Sequence, residues 1–159
     1  MEKQHALQQL EQLQKKLYAI HYACSAMNLD ADTVAPKNTS EGRGVALGVL
    51  AGEEQQLMIC PETRALLDEL DRQKDELDLL HRREVEELRR RCDQLTRIPA
   101  EEYIAYSELV NKAGDVWHKA KEKDDFEMFC PLLQELVEYN RKFAAYYDST
   151  RAPYDALLN

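Results

Sequence analysis

Residues Trp117–Asn159 read WHKAKEKDDFEMFCPLLQELVEYNRKFAAYYDSTRAPYDALLN. Phe129, Leu132, Leu133, Leu136, Val137, Phe143 and Tyr147 recur at mostly helical spacing, which predicts one apolar helix face seeking a partner surface. Asp124 with Glu127 three residues on has the form of an acidic capping box, so the helix is expected to start at Asp124. Pro131 has no amide to donate and predicts a new start or a kink after one turn. Tyr146 and Tyr147 end the run, Asp148-Ser149-Thr150 reads as a turn, and Pro153–Leu158 opens a further element.

The same period runs through the rest of the chain. Residues 2 to 28 carry a stripe of Leu10, Leu13, Leu17, Ile20, Cys24 and Met27, the spacing of a bundled helix. Residues 29 to 40 break it, with Pro36 disfavouring helix just before it and Thr39 or Ser40 able to cap the next helix, which has Glu41 near its start. In residues 41 to 58, Gly44, Gly48 and Gly52 share one face. Each glycine costs a helix about 1 kcal/mol relative to alanine, so the repeat predicts close approach of another helix. Pro61 opens a short helix with Leu66, Leu67 and Leu70, and Asp71 to Asp75 form a charged joint. A long helix over about 76 to 97 follows, with Leu77, Leu80, Val85, Leu88, Cys92 and Leu95 as its stripe. Pro99 then starts a helix to about Lys123 that carries Tyr103, Tyr106, Val110 and Trp117, with Gly114 as a second expected close contact. No stretch alternates with period two. The expected fold is therefore all-α: an antiparallel multi-helix bundle with long helices and no sheet, forming a single helical domain over 1–159. The loops and aromatic residues favour such a bundle over an extended coiled coil.

The net charge of −9 argues against a nucleic-acid surface, which needs a basic face. Arg82, Arg83, Arg89, Arg90 and Arg91 alternate with Glu84, Glu86 and Glu87, the pattern of a solvated, ion-paired helix face. No apolar run suits a leader or a membrane span. Cys24, Cys60, Cys92 and Cys130 are far apart and form no metal-ligand spacing, which reads as reduced, mostly buried thiols in a cytoplasmic protein.

Local chemistry is sparse. His5, His21, His81 and His118 have no partner at metal-ligand spacing and none opens H-E-x-x-H. The glycine segment lacks both the dinucleotide and the phosphate-loop patterns. Asp30-Ala31-Asp32, read as loop residues, could hold a divalent cation or serve as helix caps. No catalytic or metal-binding residue set is identified, and the reading from residues alone leaves open a stand-alone, non-catalytic helical interaction or oligomerisation module.

Two segments carry a resemblance. Leu29-Asp30-Ala31-Asp32-Thr33-Val34-Ala35-Pro36, with Arg43 on the next helix, is similar to the W-D-x-E-T-x-x-P segment and following arginine of the thermostable, Taq-type zinc metallocarboxypeptidases. Leu29 replaces the tryptophan and Asp32 the glutamate. Trp117, Asp125, Phe126, Phe129, Pro131 and Leu133, then Pro153-Tyr154-Asp155-Ala156-Leu157-Leu158, resemble that family's later pattern. The match falls on the N-terminal third of the family. It implies the helical groove wall or lid of an enzyme that removes C-terminal residues from peptides, with Asp30, Asp32, Thr33 and Arg43 as candidate groove residues. It further implies that zinc, or another divalent metal, is held by two histidines and a glutamate outside these 159 residues. This chain then has no cofactor of its own and is inactive alone. The implied partners are the missing catalytic domain, a peptide substrate of the full-length enzyme and a second copy in a homo-oligomer, with no nucleic acid and no membrane.

Overall fold

The computed structural model describes residues 3–36 and 38–158. The described residues form seven α-helices and one short 3-10 turn, with no strand among them. The helices are α1 (Lys3–Thr33), α2 (Ser40–Ile59), α3 (Pro61–Arg72), α4 (Leu79–Arg97), α5 (Ala100–Lys123), α6 (Phe126–Tyr147) and α7 (Pro153–Leu158), with the 3-10 turn at Lys74–Glu76. The all-α expectation holds. The expected start of the first helix at residue 2 and the Asn159 terminus lie outside the described residues.

The chain forms two compact units. The first comprises residues 1–25 and 53–96, the second residues 26–52 and 97–159. Helices α1 and α2 contribute to both. In the first unit Leu10, Leu13, Met58, Leu66, Leu67, Leu70, Val85, Cys92 and Leu95 are buried. Helices α3 and α4 run antiparallel there: Arg64 donates to Thr96 while Arg89 pairs with Asp68. On α4 the expected surface pairs form between Arg83 and Glu86 and between Arg90 and Glu87, whereas Arg91 reaches Glu54 of α2 and the Arg82 Nε is buried without a hydrogen-bond partner among the described residues. Buried Gln55 donates to the Leu95 carbonyl at 3.2 Å.

In the second unit α5 and α6 form an antiparallel hairpin around Leu109, Ala113 and Leu132, with Phe129, Leu136 and Tyr139 packed against them. Tyr106 lies edge-on to Phe143 at 5.1 Å between ring centres and beside Tyr139 at 5.7 Å. The glycine stripe of α2 faces α5. A Cβ at Gly48 would meet Glu108 at 2.9 Å, and one at Gly52 would meet Ile104 at 3.0 Å.

Several local expectations are corrected. Helix α1 continues through Leu29–Thr33, because nothing in Leu-Asp-Ala-Asp-Thr breaks a helix and Pro36 acts only on the residue before it. Asp124 does not cap α6. It takes a left-handed conformation (φ 54°) at the end of α5, and Asp125 is the cap, accepting from the Met128 amide at 3.1 Å. Pro131 lies inside an unbroken α6; near the N-terminus its missing donor removes a single bond, to the Glu127 carbonyl. Helix α4 starts at Leu79 after a cap at Asp78, whose carboxylate accepts from the His81 amide at 3.0 Å. Leu80 is exposed, while Leu77, outside the helix, is buried. Leu133 and Val137 are not on the buried face of α6. A Cβ at Gly114 would meet no atom of the described residues within 4 Å, so no close contact explains that glycine.

Candidate functional site

The four residues singled out from the sequence all lie in the second unit, at the corner where α1 gives way to α2. Asp30 and Thr33 fall in the last turns of α1. Two backbone amides, of Val34 at 3.0 Å and Ala35 at 2.8 Å, close on the Asp30 carbonyl and end the helix. The Thr33 hydroxyl donates to the Leu29 carbonyl at 2.6 Å. Asn38 turns the corner with a left-handed backbone, φ 68°. The Thr39 hydroxyl donates to the Pro36 carbonyl at 2.9 Å, and α2 begins.

Asp30 and Asp32 do not converge. Two positions apart on a helix they point about 160° away from one another, so they line different clefts. Asp30 borders a small one, about 320 Å³, with Met27, Thr39 and Arg43. Asp32 borders a larger one, about 520 Å³, with Arg43, Asp115, His118 and Lys119. Arg43 is common to both. The shared-cation reading of Asp30 and Asp32 required a loop, and the helix removes it.

Arg43 carries the most constrained geometry of the corner. Its Nε donates to Asn111 Oδ1 at 2.8 Å and its Nη2 to Asp115 Oδ1 at 2.7 Å. The Asn111 amide donates in turn to the Ser40 carbonyl at 3.0 Å. The Arg43 side chain is only 10% exposed and that of Asp115 23%. A charge-assisted bond shielded to this degree is stronger than a surface pair. The His118–Asp32 contact differs: Nε2 lies 3.5 Å from Oδ1, with both side chains more than half exposed, a geometry worth little. Beside it the Trp117 ring meets His118 edge-on at 4.8 Å between centres, and Lys121 Nζ sits 5.1 Å from the Trp117 ring centre.

Asn111 and Asp115 were missed from sequence. Their signal was present: they stand four apart on one face of α5, and Arg43 precedes Gly44 on the glycine face of α2. A Cβ at Gly44 would meet Asn111 Nδ2 at 3.0 Å, so the glycine makes room for the amide. The first unit holds a separate open cleft of about 800 Å³, lined among others by His5, Gln12, Leu13, Cys60 and Thr63.

No group of three His, Cys, Asp or Glu side chains among the described residues is placed to hold a metal ion. The four cysteines are free. Burial pushes the Cys92 thiol up, and Cys24 likewise with Glu54 adding to the effect, which disfavours the thiolate at both. No described helix is long and apolar enough to cross a membrane.

The family model described as carboxypeptidase Taq (M32) metallopeptidase matches residues 9–159. The chain belongs to this family. It is 36% identical over 141 residues to carboxypeptidase 1 of Bacillus subtilis (strain 168), covering 87% of this chain and 28% of that protein. It is 30% identical over 145 residues to thermostable carboxypeptidase 1 of Pyrococcus furiosus, covering 91% of this chain and 29% of that one. The BsuCP crystal structure superposes with a TM-score of 0.92 at 32% identity, over 97% of this chain and 31% of the other. The chain thus spans less than a third of the length of these M32 relatives. Members of a metallopeptidase family imply a divalent metal; the described residues offer no donor set that fits one.

Proposed function

We propose that this chain is the N-terminal helical region of a zinc-dependent metallocarboxypeptidase, forms part of the wall of its substrate groove and is inactive by itself. The family match over residues 9–159, which spans less than a third of the relatives' length, carries this reading. In the whole enzyme the metal would supply Lewis acidity and an activated water. No step of hydrolysis falls to the residues described. Their part is to shape and polarise the wall, with Asp30, Asp32, Thr33 and Arg43 along the α1–α2 corner. Free cysteines support a reducing, cytoplasmic setting. The partners in this reading are the catalytic remainder of the family's polypeptide, a peptide with a free C-terminus, and a second copy in a homo-oligomer.

The test is hydrolysis of N-blocked dipeptides with zinc or cobalt added. The chain alone should release no amino acid. Mixed with a separately produced polypeptide that begins where the match to B. subtilis carboxypeptidase 1 ends, it should restore metal-dependent release. Turnover by this chain alone would overturn the proposal, and so would failure of a folded, metal-loaded catalytic portion to gain activity on adding it.

A further inference from the structure

We propose that Arg43 is a positioning residue and that Asn111 and Asp115 of α5 are its partners: together they latch the α1–α2 corner, and Arg43 itself contacts no ligand. The inference deepens the reading of that corner as groove wall and rests on it for its functional meaning. Three observations carry it. Nε and Nη2 of the guanidinium are already committed, at 2.8 and 2.7 Å, to two different side chains. Asn111 is itself fixed by the Ser40 carbonyl in the first turn of α2, so the bonds run without a gap from the α2 backbone through Asn111 and Arg43 to Asp115. Gly44 leaves the space that Asn111 occupies, since a Cβ there would stand 3.0 Å from its amide nitrogen.

A carboxylate entering the cleft would meet a side chain that is only 10% exposed and whose Nε and Nη2 are already bonded to Asn111 and Asp115. An ion pair withdrawn from solvent resists exchange, because breaking it leaves one charge uncompensated. Lysine could not replace Arg43. Its ammonium is a single point on a flexible stem and cannot hold Asn111 and Asp115 in the fixed fork that a guanidinium provides.

The Arg43 Nε–H signal in ¹H–¹⁵N NMR of the 159-residue chain tests this directly. In the wild type it should exchange slowly with solvent and should not move on titration with acetate or N-benzyloxycarbonyl-Ala-Ala. Asp115→Asn and Asn111→Ala should each speed exchange of that signal, and of the Arg43 backbone amide that donates to the Thr39 carbonyl, by about tenfold or more, as loss of a hydrogen bond to a charged group predicts. Arg43→Lys should leave the backbone amide of residue 43 as fast as in Asp115→Asn while far-UV circular dichroism stays helical. Unchanged exchange in Asn111→Ala overturns the latch, as does slow exchange in Arg43→Lys. A dipeptide-induced shift of the Arg43 signal overturns it while leaving the groove reading standing. If Asp115→Asn does not fold, Asn111→Ala and the wild-type titration decide.

Discussion

Single residues in this chain separate into those whose conformation is forced and those whose identity is free. Gly114 is free: with nothing within 4 Å of its would-be Cβ, Gly114→Ala should stabilise the chain by about 1 kcal/mol in urea unfolding, through helix propensity alone. Gly44→Ala gains the same propensity but drives a Cβ against an amide that Ser40 and Arg43 hold in place, so it should be net destabilising. Asp125 is the cap of α6, and Asp125→Ala should cost about 1 kcal/mol; the same change at Asp124 should not remove a cap bond. Asp148 is held below the ordinary carboxylate range, first by the Thr150 hydroxyl and then by its amide. A lowered folded pKa means the contribution is present above the unfolded carboxylate's range and fades as pH falls through the folded value. In Thr150→Ala the Asp148 carboxyl, followed by NMR, should titrate closer to an ordinary aspartate. The sequence alone does not decide which aspartate caps α6, because Asp124 and Asp125 are chemically alike. Only the backbone decides between them, and it puts Asp124 in the left-handed region that aspartate tolerates better than most residues.

Elements were legible wherever a proline or a strong apolar period marked them. Pro61 and Pro99 open helices where expected, and the glycine face of α2 does meet another helix. The overrun of α1 and the late start of α4 share a cause: caps and turns are made by short polar side chains whose partners lie a few residues away, so composition alone does not select among them. Leu80 illustrates the point, since one turn of slippage at the Asp78 cap puts it outside while Leu77 goes in. The α5–α6 hairpin depends on its aromatic cluster. Phe143 is 5% exposed and touches Tyr106 and Tyr139 edge-on. Phe143→Ala should cost about 3–5 kcal/mol, read as an earlier denaturation midpoint.

For the whole molecule, the family was legible in the sequence because motif order survives even where single residues drift, as at Leu29 and Asp32. The site was legible only as a location. Asn111 and Asp115 lie some seventy residues beyond Arg43 in the sequence, and their four-residue spacing does not by itself tie them to it. Large apolar side chains stand exposed at neighbouring helical positions, among them Val45 and Val49 on α2 and Leu133 and Val137 on α6. In the proposed enzyme these side chains would lie against the catalytic portion. The chain alone should therefore enhance ANS fluorescence in its native state, and addition of the catalytic portion should reduce that signal; a native chain that leaves the dye dark would argue against an uncovered contact face.

The Gly44–Asn111 contact has a consequence for how this protein can vary. A side chain at position 44 would displace the amide that steadies Arg43, and Arg43 left unsteadied would leave Asp115 without its counter-charge. Positions 43, 44, 111 and 115 should therefore tolerate change only in combination. In a randomised library selected for folding, a residue larger than glycine at 44 should be recovered only together with a smaller one at 111, and an uncharged residue at 43 only together with a neutral one at 115.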